Sequence, residues 1–256
     1  MAPERSETTS TGIHDQSHCL HRIYYIHRRQ FRFFFILALI IWLITRWFDR
    51  RRVILHMFTS FWACLYLWIM PAWSLRISGR EKIERRAQYI IVSNHQSQLD
   101  ILVAFRLFFP FKWVSKLEVF RLPFVGWNMY LNRYIGLRRG DKDSIRQMMN
   151  ACERALAEGC SVYFFPEGTR SRTGRLKPFK PGAFILAQQM QVPILPVVIE
   201  GTRAALPKYS LNFHGRHLIR LRVLDAIPPS DFVDLSVEAL AETVRARFAA
   251  ALGTDP

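Results

Sequence analysis

From about residue 76 onward, short apolar runs alternate with segments whose apolar residues recur at helical spacing. That alternation restricts the chain to an α/β architecture, a mixed central sheet flanked by helices. QYIIVS (88–93) and SVYFF (161–165) read as buried strands. Between them, Ser144 and Gln147 form an S-x-x-Q capping box, Ile145, Met149, Cys152 and Leu156 follow at helical spacing, and Gly159 closes the helix. PILPVVI (193–199) and LIRLRVL (218–224) supply further strands, and Val237, Leu240, Val244 and Phe248 mark a closing amphipathic helix. Pro193 and Pro196 place the third of these strands at a sheet edge or pocket wall, because proline cannot donate to a full ladder. These elements assign residues 76–256 to one domain, a length that supports a single substantial core.

The preceding residues have a different character. Residues 1–20 are polar, with Ser6, Thr8, Thr9, Ser10 and Thr11 offering nothing to bury, and read as a mobile tail. Residues 21–75 contain two apolar runs. FFFILALIIWLIT (33–45) is too short to cross a bilayer, whereas VILHMFTSFWACLYLWIMPAWSL (53–75) is long enough and carries no formal charge. Arginines bound the first run on both sides and no small-residue cleavage pattern follows it, so it is not a secretory leader. Basic clusters lie before, between and after the runs, which leaves orientation open and favours a helical hairpin dipping into one leaflet over a pair of spanning helices. Trp42, Trp47, Trp62, Trp68 and Trp73 suit the interface.

The net charge of +16 points to an anionic partner. Its concentration beside apolar runs selects lipid head groups over nucleic acid, for which neither zinc-finger spacing nor an RNA-binding signature is present. Four cysteines, Cys19, Cys64, Cys152 and Cys160, without C-x-x-C spacing fit a reducing, cytosol-facing compartment. The expectation is a membrane-associated protein whose α/β domain faces the cytoplasm.

Two motifs carry the chemistry, each at a strand end, where α/β folds place their sites. After QYIIVS comes NHQSQLD, with His95 and Asp100 in an H-x-x-x-x-D relation. Histidine suits proton abstraction from a hydroxyl near neutrality, and Asp100 could fix its tautomer through one ring nitrogen. A hydrogen-bonded structural histidine is the competing reading. After SVYFF comes FPEGTRSRTG (165–174). Gly168 and Thr169 can present backbone N–H groups to a phosphate, and Arg170 a charged fork. Glu167 would repel that phosphate, so it accepts from a substrate hydroxyl or fixes a neighbouring arginine. An ordinary polar turn is the alternative for this segment.

Together, in this order and separation, NHQSQLD and FPEGTRSRTG resemble the paired signature of the 1-acylglycerol-3-phosphate acyltransferase family, within the glycerolipid acyltransferases, over about residues 75–225. Within FVGWNMYLNRYIGLRRGD the resemblance implies that Arg139 contacts phosphate. Arg138 replaces the family's usual acidic neighbour and either strengthens phosphate binding or is a solvated charge. VPILPVVIEGT (192–202) is similar to the family's Pro-containing strand, which associates Pro196 with the acyl-donor region. Lys116 and Lys180 fall where relatives commonly carry basic residues near donor or acceptor phosphate. The activity so implied is transfer of an acyl group from acyl-CoA or acyl-carrier protein to the sn-2 hydroxyl of lysophosphatidic acid in phospholipid synthesis, giving phosphatidic acid. No metal or cofactor is implied. Ser97 has no nucleophilic role in the resemblance, and no G-x-S-x-G elbow suggests an acyl-enzyme. Two alternatives stay open, namely an acyltransferase for another lysolipid (a lyso-aminolipid or one with a larger head group) and a non-catalytic module that binds anionic lipid.

Overall fold

A computed structural model describes residues 29–171, 173–207 and 215–253. The tail expected over 1–20 and the first residues of the hairpin segment, 21–28, thus lie outside the described residues. Helix α1 is described from residue 29 to residue 45. Then follow α2 (Val53–Ile69), β1 (Trp73–Ser78), β2 (Ile90–Ser93), α3 (Leu99–Phe105), β3 (Phe111–Lys116), α4 (Val125–Leu131), β4 (Ile135–Leu137), α5 (Lys142–Ala157), β5 (Ser161–Phe164), α6 (Gly182–Met190), β6 (Ile194–Glu200), α7 (Thr202–Ala205), β7 (His217–Val223) and α8 (Val237–Leu252).

The strands form one seven-stranded sheet in the order β1-β7-β6-β2-β5-β3-β4. All neighbours are parallel except β6 and β7, so the sheet is mixed, as expected. The inner strands read as unbroken apolar runs because both faces are covered. Ile91, Tyr163 and Leu195 point into one core with residues of α2, α3 and α4, while Ile90, Val92, Val162 and Ile194 point into another with residues of α5, α6 and α8.

Four sequence expectations are corrected. β6 is an inner strand, paired with β2 on one side and β7 on the other, and not an edge. Its proline is accommodated because the antiparallel register slips by one residue between the Val197↔Val223 pair and the Ile194↔Ile227 bridge, a bulge at which Pro196 need not donate. Helix α5 begins ahead of the predicted capping box. Asp141 is its cap, accepting from Ser144 N–H at 3.0 Å, and the Ser144 hydroxyl instead accepts from Arg138 N–H at 2.8 Å. The buried stripe of α5 is Met148, Cys152 and Leu156, with Ile145 exposed. Finally, the 53–75 apolar run is not one helix. It is helical only to Ile69, and Trp73 opens β1.

That division fixes the status of the two N-terminal helices. Among the described residues no helix is long and apolar enough to cross a membrane. Helix α2 buries Leu55, Trp62, Ala63 and Leu67 and packs on α3. Helix α1 leans on α2 through Phe31 and Phe34 against Trp62, and on α4 through Phe35 against Trp127. Five of its other apolar residues, Phe33, Ile36, Ile40, Leu43 and Ile44, lie mostly at three- and four-residue intervals and are exposed. The connection beyond it exposes Trp47 (78 %) and Phe48 (68 %). An outward stripe of this length is the reverse of the usual amphipathic arrangement, in which the apolar face turns to the core.

Candidate active site

Parallel pairing of β2 with β5 brings the two sequence motifs together. Val92 lies opposite Phe164, so His95 and Glu167, each three residues further on, leave the carboxyl edge of the sheet side by side. Asn94 ties the end of β2 to β6, donating from Nδ2 to the Ile199 carbonyl (2.8 Å) and accepting from Ile199 N–H at Oδ1 (2.9 Å). The His95 imidazole stacks on the Phe165 ring at 4.0 Å between centroids and 17° between planes. Phe165 in turn stacks on Trp113.

Within this frame His95 Nδ1 lies 2.8 Å from Asp100 Oδ2. The same oxygen accepts from Gln96 N–H (2.7 Å) and Ser97 N–H (2.8 Å). Asp100 is completely buried and His95 is 9 % exposed. Three donors converging on one oxygen hold the Asp100 carboxylate in place. They also fix the ring so that Nδ1 carries the proton and Nε2 is left as the basic nitrogen. The Ser97 hydroxyl donates to the Leu206 carbonyl (2.6 Å) and accepts from Leu99 N–H (3.2 Å), which occupies it structurally.

Glu167 does something sequence reasoning missed. It was expected to meet a substrate hydroxyl or an arginine. Instead, buried, it accepts from His95 N–H at Oε1 (2.7 Å) and from Lys177 N–H at Oε2 (3.2 Å), strapping the second motif to the first. Burial is the main influence on its carboxyl and pushes its pKa up to about 7, against the pull of those two N–H groups. The native state therefore takes up this proton before the unfolded chain does. Stability from this group is greatest below about pH 4.5 and falls as pH rises toward 7, by up to about 3 kcal/mol. A Glu167→Gln variant, having no proton to lose, is expected to flatten the pH 5–7 portion of the urea-denaturation stability profile. A profile as steep as the parent's would assign the titration to another group.

Gly168 is also corrected. Its N–H, expected to face a phosphate, is spent on the Phe165 carbonyl at 2.9 Å. Among the described residues, Thr169 N–H of the pair has no backbone acceptor. What position 168 needs is positive φ (+68°) and no side chain, since a Cβ would stand 2.9 Å from Lys180 Cε. Lys180 is thereby drawn over the turn, and its own N–H is held by the Pro166 carbonyl. Lys177, which was not singled out, donates from Nζ to Thr169 Oγ1 (3.1 Å) and the Arg170 carbonyl (3.2 Å). Its place inside a basic loop directly after the motif was the signal available.

Arg139 leaves β4 at the same edge of the sheet. Burial is the first cause lowering its pKa, and repulsion from Arg170 also contributes, which puts the two guanidinium groups in one electrostatic field. Lys116, at the end of β3, lies 3.2 Å from Glu118 and is partly neutralised by it. Arg138 turns toward Asp141 (3.6 Å), so it is a paired surface charge and not an addition to the basic cluster. Pro196 is buried in the sheet opposite Val92, where it supports the strand that carries His95.

A buried His–Asp pair at the carboxyl edge of a mixed sheet, beside clustered basic residues, defines a site for acid–base chemistry on an anionic substrate. Residues 74–200 match the family model described as Acyltransferase, and the chain belongs to that acyltransferase family. Among its relatives are proteins named 1-acyl-sn-glycerol-3-phosphate acyltransferase. The one from Chlamydomonas reinhardtii is 35 % identical over 77 % of this chain and 59 % of its own length. That of Saccharomyces cerevisiae is 34 % identical over 71 % and 61 %, and the human beta form is 35 % identical over 67 % and 63 %. This chain therefore spans less than two thirds of the curated relatives it matches. The crystal structure of the 1-acyl-sn-glycerophosphate (LPA) acyltransferase PlsC from Thermotoga maritima superimposes with a TM-score of 0.68, covering 90 % of this chain and 96 % of that one. At 23 % identity it establishes the shared fold.

Proposed function

We propose that the protein transfers an acyl group from a thioester, acyl-CoA or acyl-carrier protein, to the sn-2 hydroxyl of 1-acylglycerol 3-phosphate, giving phosphatidic acid. The observation that carries the reading is the fixed His95–Asp100 pair beside Arg139 and Arg170, and the names of the relatives agree with it. His95 Nε2 takes the proton of the acceptor hydroxyl as its oxygen attacks the thioester carbonyl carbon. Asp100 stabilises the imidazolium that forms. The carbon–sulfur bond then breaks, and the thiolate leaves and recovers the proton from His95. Arg139 and Arg170, with Lys180 and Thr169 at the turn, hold the acceptor phosphate so that the hydroxyl meets the base in a positioned encounter.

Helices α1 and α2, in this reading, form a membrane-associated hairpin lying in one leaflet. The outward apolar stripe of α1 faces the acyl chains, and Trp47 and Phe48 enter the interface beside Arg46, Arg50 and Arg51. The catalytic domain then meets lipid on the cytoplasmic side, where acyl donors are soluble.

The test is thiol release from palmitoyl-CoA in mixed micelles, with and without lysophosphatidic acid. Release that depends on lysophosphatidic acid is the expected result. Release that runs equally well with lysolipids lacking a phosphate monoester would move the acceptor to another class, and no release with any lysolipid and either donor would leave an anionic-lipid-binding module.

A further inference from the structure

The opposite edge of the sheet carries a cavity. The catalytic residues stand at the carboxyl ends of β2 and β5, whereas this cavity, of about 410 Å³, opens at the amino ends of β2, β5 and β3. Its lining includes Arg51, Arg85, Arg86, Lys112 and His56 and no acidic residue. It is separated from the catalytic edge by the length of β5, about 13 Å.

Lys112 is the unusual member. It is 4 % exposed, and among the described residues it makes no ion pair. Its ammonium donates to two backbone carbonyls, Arg51 O at 2.8 Å and Asn132 O at 2.7 Å. An ammonium has three N–H donors, so one is left over at a cavity wall. The nearby carboxylates are already engaged. Glu158 pairs with Arg133 at 3.2 Å, and both oxygens of Asp49 accept backbone N–H groups at the start of α2. Arg51 reaches across the cavity to the Gly159 carbonyl, and Arg85 and Arg86 stand exposed at its rim. Uncompensated positive charge of this density around a partly enclosed space repels itself unless an anion enters.

We propose that this cavity is a second anion site, distinct from the acceptor site, that takes a phosphate group. Its position says which source is the better fit. Arg51 belongs to the connection between α1 and α2, the same connection that exposes Trp47 and Phe48. A phosphate head group of an anionic membrane lipid would therefore be presented to the cavity by the surface those aromatic side chains enter. Phosphate binding there adds a charge contact at the foot of the hairpin and ties its connection to the amino ends of β3 and β5.

The test uses the whole protein in neutral-detergent micelles, in an Arg139→Ala background that weakens the acceptor site. Dihexanoyl phosphatidylglycerol and inorganic phosphate are each titrated calorimetrically. Arg85→Ser combined with Arg86→Ser removes two exposed charges without touching the core. The expected result is at least tenfold weaker binding in the double variant, while the same double substitution in the otherwise unaltered protein leaves saturating acyl-transfer turnover unchanged. Arg51→Ser provides a second, independent variant with the same expected loss. Tighter binding of the lipid than of inorganic phosphate identifies a head group, and equal binding identifies a free phosphate compound. Unchanged affinity for both probes in both variants overturns the site.

Discussion

Replacing His95 by alanine is expected to lower the turnover number for acceptor-dependent thiol release by about 10³-fold or more, with the KM for lysophosphatidic acid changed by less than about threefold. The split follows from the division of labour in the site. Proton abstraction has one candidate nitrogen, Nε2 of a ring pinned by Asp100, whereas the acceptor phosphate is assigned to Arg139 and Arg170, in the segments that follow β4 and β5. The protein should remain folded, because Asp100 keeps the Gln96 and Ser97 N–H donors when the imidazole is gone. Steady-state kinetics beside a thermal melt checks both parts. A variant that retains a tenth of the parent's turnover would remove His95 from the role of base.

Asp100→Asn is expected to reduce turnover by about 10²- to 10⁴-fold. The carboxylate oxygen that receives His95 Nδ1 also receives two backbone N–H groups, and an amide cannot supply an equally basic oxygen to all three. If its NH₂ turns toward the ring, His95 is driven into the tautomer with Nε2 protonated, which cannot act as a base. Loss of the buried charge-assisted bonds should also destabilise the fold by about 1–3 kcal/mol. The decisive measurement is the double variant. His95→Ala with Asp100→Asn should be no slower than His95→Ala alone within about tenfold, since Asp100 acts through His95. Strictly multiplicative losses would mean that Asp100 has a separate task.

The site was legible to different depths at different positions. His95 and Asp100 stood out because a five-residue interval after a buried strand suffices for one side chain to reach the other, a local matter. Glu167 was recognised as anomalous beside a basic loop, but its partners are backbone N–H groups of His95 and Lys177, and only one of these is near it in sequence. Gly168 was assigned to phosphate because glycine frees the backbone. The fold uses that freedom for a turn that admits Lys180. Proline in β6 misled for a similar reason, since the bulge that tolerates it depends on the register against β7, a strand some twenty residues away.

The sequence by itself determined the alternation of strands and helices, the burial of both sheet faces, and the two strand-end motifs, because periodicity and turn chemistry act within a few residues. Tertiary structure alone decided that β2 and β5 are neighbours, so that His95 and Glu167 meet, and that the apolar run from residue 53 is shared between a packed helix and the first strand. It also gathered Lys112, Arg51, Arg85 and Arg86 around one cavity from three separate segments. Strand order, register and the pooling of distant charges are set by which surfaces exclude water together, and that is a property of the assembled core and of no local stretch of chain.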